Sequence, residues 1–138
     1  AVDRDTRAFN KVMEAFRLPK TTPEQASEKE QAVEEANKEA TLIPLEVLEK
    51  AGQAVALARV AAAKGNKNSM SDAGVAGLAG QAAGEGAYYN VLINLAGIKD
   101  DKFVADVRRR ADRLMKAMDK EGKAVRAILI KSLKVPAR

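Results

Sequence analysis

The sequence predicts an all-α protein, a multi-helix bundle with kinked helices, and three observations support this prediction. Apolar residues recur every three or four positions through most of the chain, which is the periodicity of amphipathic helices. Hydrophobic residues make up 46% of the chain, but much of this is alanine, and only 4% of the residues are aromatic. This composition favours closely packed helices over a sandwich or a barrel. We expect one helical domain over residues 1–138, since this length supports a single core.

The first two helices are predicted from an apolar stripe and from the boundary between them. The stripe comprises Phe9, Val12, Met13 and Phe16. Pro19 ends the first helix, because the residue before a proline avoids the α region. Thr22 is the expected N-cap of the second helix, with Pro23 at the first helical position and Gln25 completing a capping box. Farther along, Pro44 is expected to kink or break this helix.

Two further helices are predicted from stop and cap signals. Gly65 suits the left-handed C′ position that ends the long second helix. Ser71 or Asp72 is expected to cap a third helix, which runs to about residue 96 and ends at Gly97. Asp100 is expected to cap the last helix, whose apolar residues keep close to a spacing of three or four.

The third helix carries few side chains over its first four turns. Each glycine inside it costs about 0.5–1 kcal/mol relative to alanine. The glycines are Gly74, Gly77, Gly80, Gly84 and Gly86. Two interpretations are open: a core helix against which its neighbours pack closely, or a helix lining a pocket for a flat polar ligand. Asn90 and Asn94 lie one turn apart in its apolar second half, where buried amides need hydrogen-bond partners.

Charge and the absence of two residue types restrict the possible functions. The chain has no cysteine, which excludes disulfides and thiolate chemistry, and no histidine, which excludes Ser-His-Asp catalysis and imidazole metal sites. Any proton transfer falls to Asp, Glu, Lys or Tyr, and we predict no metal site. Residues 101–138 hold twelve Lys or Arg against five Asp or Glu, which favours an anionic partner. No apolar run reaches about 18 residues and the sequence shows no signal-peptide pattern, so we expect a soluble protein without a membrane span.

Two groups of polar residues are candidates for chemistry, and each also has a purely structural interpretation. Asp3 and Asp5 lie two positions apart on a helix, so their side chains point about 200° apart and do not form a joint acid–base pair. If Asp5 faces the core, burial makes it a plausible acid–base group; otherwise both are solvated charges near a helix N-terminus. The polar loop 66–72 precedes a helix N-terminus and suits an anion, but its residues are equally typical of turns and caps.

Five segments gain meaning from their shared order and spacing. They are Asp3-x-Asp5-Thr6-x-Ala8-Phe9, Arg17-Leu18-Pro19-Lys20 with Thr22-Pro23-Glu24, Pro44-Leu45, Gly65-Asn66-x-Asn68-Ser69-x-Ser71-Asp72-Ala73-Gly74-Val75, and Gly86-Ala87-x-x-Asn90-Val91-x-Ile93-Asn94-Leu95. Together they resemble the cyclodeaminase / methenyltetrahydrofolate cyclohydrolase domain of the formiminotransferase-cyclodeaminase family. The resemblance covers nearly the whole chain. Family chains begin with a helical region bearing a Pro-Gly-Gly-Gly-Ser-like segment that this sequence lacks, so the resemblance also implies that N-terminal helices, and part of the active site, are missing.

The resemblance implies cyclodeamination of formimino-tetrahydrofolate to methenyl-tetrahydrofolate and ammonia, with methenyl-tetrahydrofolate cyclohydrolase activity as the alternative. A non-catalytic helical module for oligomerisation or binding, including nucleic-acid binding through the basic last helix, is also left open. The family's catalytic aspartate corresponds to Asp5. The expected substrate-binding residues are Asp3, Lys20, Asn68, Ser71, Asp72, Gly74, Asn90 and Asn94.

The resemblance also gives expectations about partners and location. The substrate is a tetrahydrofolate derivative, with or without a polyglutamate tail, and no cofactor is tightly bound. We expect a cytoplasmic homodimer or larger homo-oligomer joined by helix packing, acting in histidine catabolism, with no nucleic-acid partner.

Overall fold

The computed structural model describes the backbone of residues 2–132 and the side chains from residue 3, and these residues form four α-helices. The helices are α1 (Val2–Arg17), α2 (Pro23–Lys64), α3 (Met70–Leu95) and α4 (Asp101–Ser132), and one 3₁₀ turn (Lys67–Ser69) precedes α3. The all-α prediction is confirmed, since the described residues include no strand. The three predicted breaks between helices are confirmed as well. The last six residues of the predicted basic segment 101–138 lie outside the described range.

The predicted capping box at the start of α2 is present. The Gln25 backbone N–H donates to Thr22 Oγ1 at 3.3 Å, and Gln25 Oε1 accepts from the N–H groups of Thr22 at 3.4 Å and Thr21 at 3.1 Å. At the preceding helix end, Lys29 Nζ donates to the carbonyl oxygens of Phe16 at 2.6 Å and Leu18 at 2.8 Å. These bonds satisfy backbone groups that a helix terminus leaves without a partner. They fix the turn between α1 and α2.

The predicted break at Pro44 is wrong, because α2 continues through this residue. A proline has no N–H, so the carbonyl oxygen of Ala40, four residues earlier, loses its helical partner. Asn94 replaces that partner from α3: its Nδ2 donates to the Ala40 oxygen at 3.4 Å. The fully buried Thr41 hydroxyl also bonds back to the Asn37 carbonyl oxygen at 2.7 Å. The neighbouring helix therefore supplies a donor to the carbonyl oxygen that the proline leaves without one.

The start of α3 differs from the prediction. A 3₁₀ turn precedes the helix, and Asn66 caps this turn: its Oδ1 accepts from the Asn68 N–H at 3.0 Å. Ser71 and Asp72 therefore lie inside the first turn of α3 and do not cap it. Gly65 does not adopt the left-handed conformation either, since no described glycine has a positive φ. Its N–H donates to the Ala61 oxygen at 2.7 Å, and a Cβ at this position would overlap that oxygen.

The loop between α3 and α4 is held by carboxylates. Asp100 caps α4 as predicted, since its Oδ1 accepts from the Phe103 N–H at 3.0 Å. From α2, Glu34 Oε1 accepts from the backbone N–H groups of Lys99 at 3.0 Å and Asp100 at 2.9 Å. One side chain of α2 thus binds two consecutive amides of this loop.

The described residues group into two compact units. The first unit contains α1, α2 up to Val47 and the segment Ala87–Ala111; the second contains Leu48–Gly86 and α4 from Asp112 onward. The buried apolar residues of the first unit include Ala8, Ala15, Ala36, Ile43, Leu45, Val91, Leu95 and Val107. Those of the second include Leu48, Ala51, Val55, Ala58, Ala62, Ala73, Met118 and Val125. Alanine is prominent in both cores, so helices approach closely, as the composition predicts.

The glycines of α3 show why this helix carries so few side chains in the second unit. A Cβ at Gly80 would lie 2.7 Å from Val55 Cγ2, and one at Gly84 would overlap the sulfur of buried Met118. At these two positions the close-packed core interpretation is confirmed. Gly86 is different, since a Cβ there would meet nothing within 4 Å.

Candidate functional site

The two candidate aspartates lie on the exposed side of α1. Asp3 and Asp5 are both exposed, so the hypothesis that Asp5 faces the core is wrong. The buried residues of α1 nearest to them begin at Ala8. At 100° per residue Asp5 lies about 60° around the helix from Ala8, whereas Asp3 lies about 140° away. Asp5 is therefore the aspartate closer to the packed face, although solvent reaches both.

Ion pairs connect α1 to α2 in the first unit. Arg4 Nη1 lies 2.7 Å from Glu46 Oε2, and Lys11 Nζ lies 2.7 Å from Glu39 Oε2. Exposed pairs of this kind contribute little each, about 0–1 kcal/mol. The two pairs lie on either side of Ala8 in the sequence of α1, so together they hold α1 along α2 and orient the turn that carries Asp3 and Asp5.

A shallow groove of about 640 Å³ lies beside this part of the first unit, with an apolar floor and a charged rim. Its floor includes Ala15, Leu18, Ala32, Ala36, Leu42 and Phe103, and its rim includes Lys11, Glu14, Glu35, Lys38 and Glu39. Charges of both signs line it, so its chemistry does not select an anion or a cation. Neither Asp3 nor Asp5 lines it.

Lys38 is the best-connected cation at this rim. Its Nζ lies 3.0 Å from Asp100 Oδ2, 3.1 Å from Glu35 Oε1 and 5.8 Å from the centre of the Phe103 ring. The hydrogen bonds to Asp100 and then Glu35 raise the pKa of Lys38. The Phe103 backbone N–H and then Lys38 lower the pKa of Asp100. The cluster stabilises the start of α4, and both partners remain charged at neutral pH.

A second groove, which we call the glycine groove, lies between α3 and α4 within the second unit and has a volume of about 570 Å³. Residues of α3 that line it are Gly74, Gly77, Leu78 and Gln81. Residues of α4 that line it are Gly122, Lys123, Val125, Arg126, Leu129 and Ile130. Gly74 and Gly77 line this groove, but they also allow close packing: a Cβ at Gly74 would lie 2.8 Å from Leu129 Cδ2, and one at Gly77 would lie 3.1 Å from Val125 Cγ1.

The other predicted site residues have separate locations. Asn68, Ser71 and Asp72 are exposed, and the Asn66–Asn68 hydrogen bond belongs to ordinary turn chemistry. Lys20 lines a smaller surface groove of about 290 Å³ in the first unit. Asn90 is exposed, whereas half-buried Asn94 donates to the Ala40 carbonyl oxygen.

The predicted set is thus divided between the units. Asp3, Asp5, Lys20, Asn90 and Asn94 belong to the first, and Asn68, Ser71, Asp72 and Gly74 belong to the second. None of the three grooves described here contains the whole set.

Comparison with known proteins bears directly on this arrangement. The family model described as "Formiminotransferase-cyclodeaminase" matches residues 1–113, which include every predicted site residue. The chain belongs to the formiminotransferase-cyclodeaminase family. The formimidoyltransferase-cyclodeaminase of Mus musculus is 36% identical over 132 residues, or 96% of this chain and 24% of that protein. The enzyme of the same name from Sus scrofa is 39% identical over 114 residues, or 83% of this chain and 21% of that protein.

Two further relatives are each named for one activity. A methenyltetrahydrofolate cyclohydrolase of Methylorubrum extorquens is 37% identical over 111 residues, covering 80% of this chain and 53% of that protein. The crystal structure of a formiminotetrahydrofolate cyclodeaminase from Thermotoga maritima superposes with a TM-score of 0.81 at 26% identity, covering 93% of this chain and 60% of the other. The chain therefore spans about a quarter of the bifunctional relatives and about half of the cyclohydrolase.

Several charged residues of this family member were not predicted as site residues. Lys123 and Arg126 line the glycine groove, and Arg59 pairs with Glu121 across α2 and α4 of the second unit. Glu121 lies between Met118 and Val125, two buried apolar residues of α4, and this pair gives its carboxylate a cationic partner. Lys123 and Arg126 belong to a helix with many charges, and the sequence does not show which of them adjoin a groove. Gly122 is the one residue of α4 whose type points to this groove, because a glycine allows the close approach of another helix and a Cβ at this position would overlap the Gln81 amide of α3.

Within residues 2–132, no helix is both long enough and apolar enough to cross a bilayer.

Proposed function

We propose that the chain carries the cyclodeaminase reaction of folate one-carbon metabolism, converting formimino-tetrahydrofolate to methenyl-tetrahydrofolate and ammonia. The observation that carries this proposal is the match of 93% of the chain to the fold of a solved formiminotetrahydrofolate cyclodeaminase. The bifunctional relatives, whose names include the same activity, support it.

Asp5 is the proposed catalytic residue, and its position on α1 is compatible with that role. One folate nitrogen attacks the formimino carbon, and a C–N bond to the departing amine breaks. The proton that the attacking nitrogen releases must reach that amine, and a carboxylate can transfer it in a protein without histidine. Asp5 is exposed, so its carboxyl group is accessible to a substrate that approaches from solvent. Binding also has to hold the two nitrogens in attacking geometry.

The proposed substrate-binding residues remain those of the sequence prediction. Asp3, Lys20, Asn68, Ser71, Asp72 and Asn90 present exposed polar groups, Gly74 lines the glycine groove, and Asn94 lies half-buried on α3. The substrate is a tetrahydrofolate derivative, with or without a polyglutamate tail.

Cyclohydrolase activity is the second candidate, and the Methylorubrum extorquens relative favours it. In that reaction water adds to the methenyl carbon, so the same carboxylate would accept a proton from water. Absorbance of methenyl-tetrahydrofolate distinguishes the two reactions. Formation from formimino-tetrahydrofolate with release of ammonia supports the deaminase, hydrolysis alone supports the hydrolase, and neither reaction with the full-length protein refutes both.

We also propose a cytoplasmic homodimer or larger homo-oligomer joined by helix packing, acting in histidine catabolism. Exposed apolar side chains on the helices support the assembly. Phe9 is 62% exposed, Phe16 52% and Ile93 69%. Such side chains occur singly on many surfaces, but here they repeat along helices. Sedimentation equilibrium showing only monomer at micromolar concentration would contradict this part of the proposal.

A further inference from the structure

The glycine groove combines an apolar interior with a basic edge. Leu78, Val125, Leu129 and Ile130 supply apolar side chains, and Gly74 and Gly77 allow Leu129 and Val125 of α4 to lie close to the α3 backbone. The volume of about 570 Å³ lies within the range of small-molecule pockets, roughly 300–1,000 Å³. An apolar body of this size can therefore lie among these side chains.

The charges of the groove select the sign of its ligand. Lys123 and Arg126 line it on α4, three residues apart and therefore on one face of the helix, and no Asp or Glu lines it. The nearest acidic residue in sequence on that helix, Glu121, is paired with Arg59. Two cations without an acidic neighbour in the lining complement a ligand that carries carboxylates.

We propose that the glycine groove binds the p-aminobenzoyl-glutamate arm of the folate substrate, with the ring among the apolar residues and the carboxylates at Lys123 and Arg126. This assignment rests on the proposed function for the identity of the substrate. A ring suits the apolar side chains that line the groove, and each additional glutamate adds a carboxylate at the basic edge. The α4 residues that line the groove lie beyond residue 113, where the match to the family model ends.

The test is calorimetric titration of p-aminobenzoyl-glutamate into the full-length protein and two pairs of charge variants. The double substitution Lys123→Gln/Arg126→Gln should weaken binding on the order of 5- to 10-fold, as expected for two exposed charge contacts. The matched control Lys116→Gln/Lys120→Gln removes the same charge from exposed positions of α4 outside the groove, and it should change affinity less than about twofold.

A second pair tests the apolar part. Leu78 and Val75 lie on α3 and are 66% and 65% exposed, but only Leu78 lines the groove. Leu78→Ala should weaken binding several-fold while Val75→Ala should not, and both variants should fold because each truncated side chain is largely in solvent.

Several results would overturn the assignment: no measurable binding at millimolar ligand, equal effects of both charge pairs, or equal effects of Leu78→Ala and Val75→Ala. Competition by octanoate that is stronger than self-competition would assign the groove to an aliphatic carboxylate instead. Altered self-association of the groove variants without arm binding would assign it to a second copy of the chain.

Turnover separates this assignment from the proposed function. If the protein converts formimino-tetrahydrofolate and the Lys123→Gln/Arg126→Gln variant keeps its KM, the groove assignment fails alone. If the variant raises KM and leaves kcat unchanged, the groove contributes binding to substrate and transition state equally. If no folate is turned over but p-aminobenzoyl-glutamate binds with the expected charge dependence, the proposed reaction fails and the groove remains a site for aryl carboxylates.

Discussion

The hydrogen bond from Asn94 to the Ala40 carbonyl oxygen predicts an energetic coupling between Asn94 and Pro44. Proline leaves that oxygen without its helical donor, and Asn94 Nδ2 supplies one at 3.4 Å. Asn94→Leu approximately keeps the volume and removes the donor. Pro44→Ala restores a backbone N–H that can bond to Ala40 within α2. Loss of the Asn94 amide should therefore lower the free energy of unfolding when residue 44 is proline and change it little when residue 44 is alanine.

The magnitude follows from the geometry. A distance of 3.4 Å is beyond the usual N–H···O range of about 2.7–3.2 Å, so the bond belongs at the weaker end of the net 0.5–1.5 kcal/mol scale. Leaving a partly buried carbonyl unpaired adds to the loss, at the low end of roughly 1–3 kcal/mol. We expect Asn94→Leu to lower the free energy of unfolding by about 1 kcal/mol with Pro44 present and by close to nothing with Ala at position 44.

Urea unfolding of the four proteins in this cycle, followed by helical circular dichroism, measures the coupling directly. Asn90→Leu, one turn earlier and exposed, is the control and should be additive with Pro44→Ala. If Asn94→Leu costs the same in both backgrounds, the Asn94 amide does not compensate for the proline and our account of the uninterrupted α2 is wrong.

Three further predictions concern catalysis, packing and acid stability. Asp5→Asn should reduce cyclodeaminase turnover by roughly 100- to 10,000-fold with little change in folate affinity, and Asp3→Asn should be much milder; the reverse order in steady-state kinetics would refute the assignment. Gly86→Ala should raise the free energy of unfolding by about 0.5–1 kcal/mol, because a Cβ there meets nothing within 4 Å. Gly84→Ala should lose this gain, because its Cβ would overlap the buried Met118 side chain. Equal shifts of the urea midpoint in the two variants would contradict the described packing. The Phe103 N–H and Lys38 lower the pKa of Asp100, so its carboxylate stabilises the fold at pH values above the usual pKa of 3.8, and this stabilisation is lost as pH falls through the lower pKa of the folded state. Asp100→Asn should therefore be less stable at neutral pH and should lose less stability on acidification. Parallel pH profiles of the two proteins in thermal unfolding would exclude this role.

The parts of the fold that follow from the sequence are those decided within a few residues. The capping box between Thr22 and Gln25 and the cap at Asp100 depend on side chains that reach backbone groups three positions away. Helix continuity at Pro44 depends instead on Asn94, which is 54 residues from Ala40 in sequence. Sequence rules for proline show that a backbone hydrogen-bond donor is lost, but they do not show that a side chain of another helix replaces it.

The candidate site was less predictable for the same reason. Asp5 was identified from its segment, but its exposure depends on which side of α1 packs against the first unit. The basic edge of the glycine groove was missed, because helical spacing places Lys123 and Arg126 on one face without showing that α3 lies opposite. Sequence pattern thus identified residue types with suitable chemistry and left their surroundings undetermined.

The carboxylate of Glu34 determines where the loop between α3 and α4 tolerates added residues. It binds the amides of Lys99 and Asp100 together, so those two residues have to remain adjacent. The turn that ends α3 extends through Ile98, because the Gly97 N–H donates to the Asn94 oxygen and the Ile98 N–H donates to the Leu95 oxygen. A peptide tag inserted between Ile98 and Lys99 would lengthen the loop and leave both donors on Glu34. The same tag inserted between Lys99 and Asp100 would separate the two donors, so that Glu34 could no longer bind them as neighbours.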